Sequence, residues 1–268
     1  MNDVTVDLPP LLGAGDPPAV SVVNGGGAAN ALLLCDHASN AVPTCLNGLG
    51  LLARDLGRHI AWDIGAAEVT RHLAERLDAP AVLSGYSRLV IDCNRRPGHA
   101  ASIAAESDGV AIPGNQGLTP AEAAHRSDAC FWPYHRRIGA GIAGFALRGV
   151  KPAILSVHCF TPVLAGVRRP WQIGVLWDRD PRIAGPLLEA LRRRGDLEVG
   201  DNRPYSGRAR FGYSIEVHAT ETGLPNVLIE IREDMVADAD GQRRVADLMA
   251  DALAPVLDDP ALYRSARY

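Results

Sequence analysis

The chain has 268 residues, a formal net charge of −4 and 47% hydrophobic residues. That is enough chain for one large α/β domain and too little for two independent ones of ordinary size. The weak negative charge and scattered Lys and Arg point away from nucleic-acid and membrane-surface partners, and no apolar stretch reaches membrane-spanning length. Residues 1–7 lack a basic region followed by an apolar one, so no secretory signal is expected. Five cysteines, an odd number without a CxxC pair, fit reduced thiols in a cytoplasmic protein.

In chain order, residues 8–30 carry paired prolines and a Gly25-Gly26-Gly27 run. They read, with residues 1–7, as a loose lead-in at 1–30 to a single α/β hydrolase-type domain at 31–268. Ala31 to Asp36 is an apolar strand that leads to His37. Residues 59–77 show a helical stripe at Trp62, Ala66, Val69, Leu73 and Leu77. Ala81–Ser84 and Arg88–Asp92 read as two short strands. Residues 97–118 read as a long loop suited to covering a site.

Thr119, Pro120 and Glu122 form a helix start with a capping box, and Pro133 should break or kink that helix. Residues 153–158 and 172–177 are strands, and Asp180-Pro181 opens a helix that ends at Gly195. Residues 213–218 are a candidate strand and 226–231 a firm one, before a last helix at about 240–257. Alternating strands and helices predict a three-layer αβα domain around a mixed, largely parallel sheet, phosphorylase/hydrolase-like in architecture.

The chemistry concentrates at strand ends. His37 and His158 each close an apolar strand, and ligands in open α/β sheets bind at the carboxyl ends of strands. Such a pair either holds a divalent metal or consists of two core histidines bonded to backbone. Asp63, an acid inside the apolar Ala61-Trp62-Asp63-Ile64 patch, is the preferred third ligand; otherwise it is an exposed helix residue. Glu230 sits in Val227-Leu228-Ile229-Glu230-Ile231, where every neighbour is apolar. Burial should raise its pKa and suit it to proton transfer. The alternative is a solvated face, with Glu230 paired to Arg232.

Asn94, Arg95 and Arg96 follow the 88–92 segment, and an Arg fork with a neighbouring amide suits a free substrate carboxylate. Arg203 could add an anion contact, and His218 could shuttle protons. His59, His72, His99, His125 and His135 receive no role. Cys159, beside His158, is a less favoured nucleophile, since neighbouring strand residues point to opposite faces.

The segments Asp36-His37-Ala38-Ser39-Asn40, Ser87-Arg88-Leu89-Val90-Ile91-Asp92-Cys93-Asn94-Arg95-Arg96-Pro97, Ser156-Val157-His158 and Leu228-Ile229-Glu230-Ile231-Arg232 occur in that order. Together they resemble the N-formylglutamate amidohydrolase family, over about residues 31–256. The resemblance implies the three-layer fold of zinc-carboxypeptidase-like and aspartoacylase-like hydrolases. It implies that Asp92, Asn94 and Arg95 match a D-x-N-R carboxylate-binding segment and that Glu230 matches the base. It further implies a zinc-like ion on His37 and His158, and hydrolysis of an N-acyl amino acid, first of all N-formyl-L-glutamate. Arg88 would then steady the oxyanion or a second carboxylate. Asn40 stands where such relatives carry a glutamate ligand, a departure from the pattern at the third ligand. Other acyl amino acids, a peptide or cell-wall fragment, and a carboxylate-binding protein without catalysis remain as alternatives.

Overall fold

The computed structural model describes residues 8–209 and 212–264. In chain order the strands are β1 (Val20–Val23), β2 (Ala31–Cys35), β3 (Ala81–Ser84), the hairpin β4 (Glu106–Ser107) and β5 (Val110–Ala111), β6 (Ala153–Phe160), the hairpin β7 (Val163–Leu164) and β8 (Val167–Arg168), β9 (Ile173–Leu176), β10 (Val199–Asp201) and β11 (Asn226–Arg232). The helices are α1 (Ala53–Leu56), α2 (Ala66–Arg76), α3 (Pro120–Arg126), α4 (Trp132–Leu147), α5 (Pro181–Arg193) and α6 (Ala239–Leu257).

Seven strands form one sheet in the order β1-β3-β2-β6-β11-β9-β10. Its centre, β3, β2, β6 and β11, is parallel, while β1 pairs antiparallel with β3, and β9 antiparallel with β11. The central strands are apolar on both faces because helices cover both. Leu33, Leu155, Val157 and Ile229 pack with α2, α5 and α6. Leu32, Leu34 and Ile154 pack on the other face against Tyr134, Ile138 and Phe145 of α4. The three layers and the mixed, mostly parallel sheet are those the sequence predicts.

Five local expectations are corrected. Val20–Val23, inside the stretch read as a loose lead-in, is an edge strand of the sheet; residues 1–7 lie outside the described residues. Arg88–Asp92 is no strand. Ser87 caps a turn there, its Oγ accepting from the Leu89 amide and its carbonyl accepting from the Val90 amide. Leu89, Val90 and Ile91 are apolar because they fill a separate core under the loops with Leu49, Ile60 and Phe131. The helix read over 59–77 is confined to α2, which begins after Gly65, a residue with a left-handed φ of 79°. The 97–118 loop contains the β4–β5 hairpin. Residues 213–218 are not extended; they lead into a π-helical turn at Glu216–Thr220.

The capping box at Thr119 and Glu122 is present as read. Near Pro133 the chain runs from α3 through a π-helical turn, Ser127–Phe131, into α4. The backbone stays helical through Phe131 and Trp132, so the helix continues across Pro133 and the π-helical turn just ahead of it takes up the irregularity.

Candidate metal centre and active site

The parallel strands deliver their chemistry at their carboxyl ends. His37 lies two residues past β2. Leu155, Val157 and Cys159 face α2, so the alternation of β6 turns His158 to the opposite face. Glu230 pairs directly with His158 across the β6–β11 ladder and therefore shares its face. On the far side Glu230 pairs with Gly174. A side chain there would meet the Arg203 carbonyl at 2.0 Å, so the glycine admits a close backbone approach behind Glu230.

Asp63 is placed by backbone. Its N–H donates to the His37 carbonyl at 3.0 Å, and its own carbonyl accepts from the Ala66 amide that opens α2. Its carboxylate reaches the Nδ1 atoms of both histidines, at 3.3 Å for His37 and 2.9 Å for His158. The Cys159 amide donates to the same oxygen at 3.2 Å. One ligand atom from each of His37, Asp63 and His158 falls within a 4.8 Å cluster, and all three residues are buried.

The outer nitrogens are held just as firmly. His37 Nε2 donates to Asp92 at 2.7 Å and His158 Nε2 to Asp36 at 2.9 Å. Burial alone would push both carboxyls up. The Asp36 bond to His158 and the Arg88 and His37 charges beside Asp92 outweigh it, and both stay well below the usual range. Burial would likewise pull His158 down, yet carboxylates on both sides hold it far above its ordinary value. Carboxylates that fix the Nε2–H of each ring turn both Nδ1 atoms inward, the arrangement that orients histidine ligands in metal sites. The other oxygen of Asp63, Oδ1, is buried without a hydrogen-bond partner. Two imidazoles, one carboxylate and an orphaned oxygen suit a divalent ion with an open position.

Glu230 is 6% exposed, and its Oε2 has no hydrogen-bond partner. Burial, with Asp63 nearby, raises its pKa to about 8 against the opposing pull of His158 and the arginines. Arg232 is not its partner; it bonds Asp234 and the 169–171 carbonyls. The solvated-face alternative is therefore excluded. So is the backbone-bonded alternative for His37 and His158, whose ring nitrogens all meet carboxylates.

These groups open into a cavity of about 1020 Å³. His37, Asp63, His158, Glu230, Arg88, Asn94 and Arg95 all line it. Arg88 bridges inward, bonding Asp92 at 2.7 Å and lying 3.7 Å from Asp63 Oδ1. Asn94 accepts the amides of Tyr213 and Ser214 through its side-chain oxygen, which fixes the segment that roofs the cavity. Roofing falls to residues around 205–207 and 212–224, and none of 97–118 lines the cavity.

Three expected site residues stand elsewhere. Arg96 stacks over Tyr213 and Arg203 over Trp171, and neither lines the cavity. His218 does not line it either; its Nε2 meets His135 Nδ1 at 2.9 Å. Asp92 grips His37 and Arg88 and so fixes the His37 ring. Asn40 donates to the Leu56 carbonyl. Cys159 does line the cavity, but burial and nearby acids keep it a thiol.

Two participants escaped the sequence reading. Asp36 points away from His37, and for that reason it reaches His158, along with Tyr134 and Ser214. The alternation of β2 carried that signal. His59 lines the cavity with its Nδ1 3.9 Å from Asp63 Oδ1 and 3.8 Å from Glu233, and burial lowers its pKa to about 4. Nothing local marks it in the sequence, since its neighbours are ordinary turn residues.

Residues 29–237 match the family model described as FGase, N-formylglutamate amidohydrolase. This chain belongs to the N-formylglutamate amidohydrolase family. The match covers His37, Asp63, His158, Arg88 to Arg95 and Glu230, and the family name describes hydrolysis of an amide bond. Among solved structures, this family member is similar to the gene product Atu2144 from Agrobacterium tumefaciens, at 37% identity and a TM-score of 0.87, over 92% of this chain and 99% of that one. It also shares its fold with the N-formylglutamate amidohydrolase from Ralstonia eutropha JMP134, at 15% identity and a TM-score of 0.62, over 90% and 98% of the two chains. No curated protein matches this family member. No helix among the described residues is long and apolar enough to cross a membrane.

Proposed function

We propose that this chain hydrolyses the amide of an N-acyl amino acid, with N-formyl-L-glutamate the first substrate to test. The observation that carries the reading is the convergence of both Nδ1 atoms and Asp63 beside a buried glutamate that shares a face with His158. His37, His158 and Asp63 would hold a divalent ion, zinc by donor chemistry. When bound, that ion supplies a Lewis acid that polarises the scissile carbonyl and acidifies water.

The chain's own residues do the rest. Glu230 removes a proton from the attacking water and delivers it to the amine nitrogen as the C–N bond breaks. Water is consumed, and a carboxylic acid and a free amino acid are released. A carboxylate held out of bulk water is a strong enough base and, once protonated, a strong enough acid for both steps near neutral pH. Arg95, beside Asn94, grips the substrate carboxylate and so fixes the scissile carbon near Glu230. Arg88 faces the carbonyl oxygen as charge develops there. Asp36 and Asp92 keep the ligand histidines oriented.

The test is formate release from N-formyl-L-glutamate by the purified chain, with and without a chelator. Release that stops on chelation and returns with Zn²⁺ supports the reading. Release that ignores the chelator removes the ion, and no release with Zn²⁺ or Co²⁺ added rejects the substrate.

A further inference from the structure

The cavity is much larger than a formyl amino acid requires. At about 1020 Å³ it reaches the upper end of pockets that enclose ligands of drug size, about 300–1,000 Å³. The excess lies on one side. Arg88 and Asp92 stand on the β3–β2 side of the histidines. The cavity also continues the other way, along the face of β11, past Leu228 to Asn226. The four residue steps from Glu230 to Asn226 span about 13 Å.

This arm has an apolar body. Leu228 follows Glu230 on the same face and pairs with Leu176 of β9, and both line the cavity. Tyr205, Ile215 and Leu224 also line the cavity. The wall is built and held. Asn202 accepts the amides of both Trp177 and Gly207, and a side chain at Gly207 would meet the Trp177 backbone at 2.6 Å. Charged and polar groups line the rest of the cavity, among them Lys151, Asp178, Arg179, Glu216, Glu221 and Asn226.

We propose that the substrate carries an acyl group longer than formyl, with an apolar or aromatic body, seated along β11 against Leu228 and Leu176. The proposal rests on the amide hydrolysis read above. With the substrate carboxylate on the Arg95 side and the scissile carbon beside Glu230, the acyl group is the part that points into the arm. The bond broken is the same amide C–N bond, with water consumed and a longer carboxylic acid released. Leu228 and Leu176 are specificity-determining residues here, remote from the reacting atoms.

The experiment is a series at a fixed amino acid: N-formyl-, N-acetyl-, N-butyryl-, N-hexanoyl- and N-phenylacetyl-L-glutamate, with glycyl-L-glutamate for comparison. The expected result is a kcat/KM that rises several-fold per added methylene and reaches at least about tenfold over formyl. In Leu228→Trp, which fills the arm, the ratio of hexanoyl to formyl should fall by about tenfold; a ratio within one preparation is insensitive to partial misfolding. A kcat/KM that is highest for formyl and falls with each carbon overturns the proposal and leaves amide hydrolysis standing. Faster cleavage of glycyl-L-glutamate than of every acyl compound overturns it in favour of a peptide. No cleavage anywhere in the series rejects the hydrolase reading and this proposal with it.

Discussion

Two pairs of histidines in contact behave oppositely. His37 and His158 stand 4.9 Å apart between ring centroids, edge to face, with Asp36, Asp63 and Asp92 around them. His135 and His218 stack at 5.2 Å with an interplanar angle of 11°, one bonded to the other, and His135 also to the Cys93 carbonyl. In the first pair carboxylates overcome burial and raise His158. In the second, burial wins and lowers His135 to about 4. The ring of carboxylates makes one pair a group that could hold a cation and leaves the other a packing contact.

The sharpest break in this comparison acts through the group that only the first pair has beside it. Glu230→Gln should lower turnover by about 10²–10⁴-fold while leaving the bound ion in place, checked by steady-state kinetics beside metal analysis. Full activity in that variant removes Glu230 from proton transfer.

Next in size are the carboxylates behind the rings. Asp36→Asn and Asp92→Asn should each weaken metal affinity by about 10–100-fold, read by competition with a chromogenic chelator. Unchanged affinity in both would make the outer bonds irrelevant to the ion.

The second pair predicts a pH effect on folding. His135 has its folded pKa, about 4, below the ordinary value of 6.5. Its contribution to stability is present above 6.5 and lost as pH falls toward 4, because the unfolded chain takes up the proton first. His135→Gln should flatten denaturation midpoints over that window, by about 1–3 kcal/mol at its lower end. A slope identical to that of the unaltered chain would show the ring to be freely protonated when folded. The smallest effect is expected at His218→Ala, with kcat/KM within about twofold of the starting protein, since surface-side changes away from a site act weakly.

Legibility in the sequence divides in the same way. The strands that end at His37 and carry His158 and Glu230 were legible because a polar residue in an apolar run has few explanations. Asp63 was legible for that reason too, although the segment that holds it is a turn before α2 and not a helix. Arg88–Asp92 misled because burial by loops produces the same apolar run as burial in a sheet. His218 misled because a histidine's role depends on partners far along the chain, here His135, 83 residues away. The same separation hid the bond from Asp36 to His158, 122 residues apart. Arg96 and Arg203 were read as anion contacts from side-chain type and local neighbours, while the fold places both over aromatic faces.

The central claim is that His37, His158 and Asp63 form one cation site. It is tested most directly by the metal content of the purified chain and of Asp63→Asn after equal loading with Zn²⁺ and removal of free ion. The account predicts about one tightly held ion per chain in the first and a small fraction of that in the second. Equal content in both, or none in the unaltered chain, would contradict it.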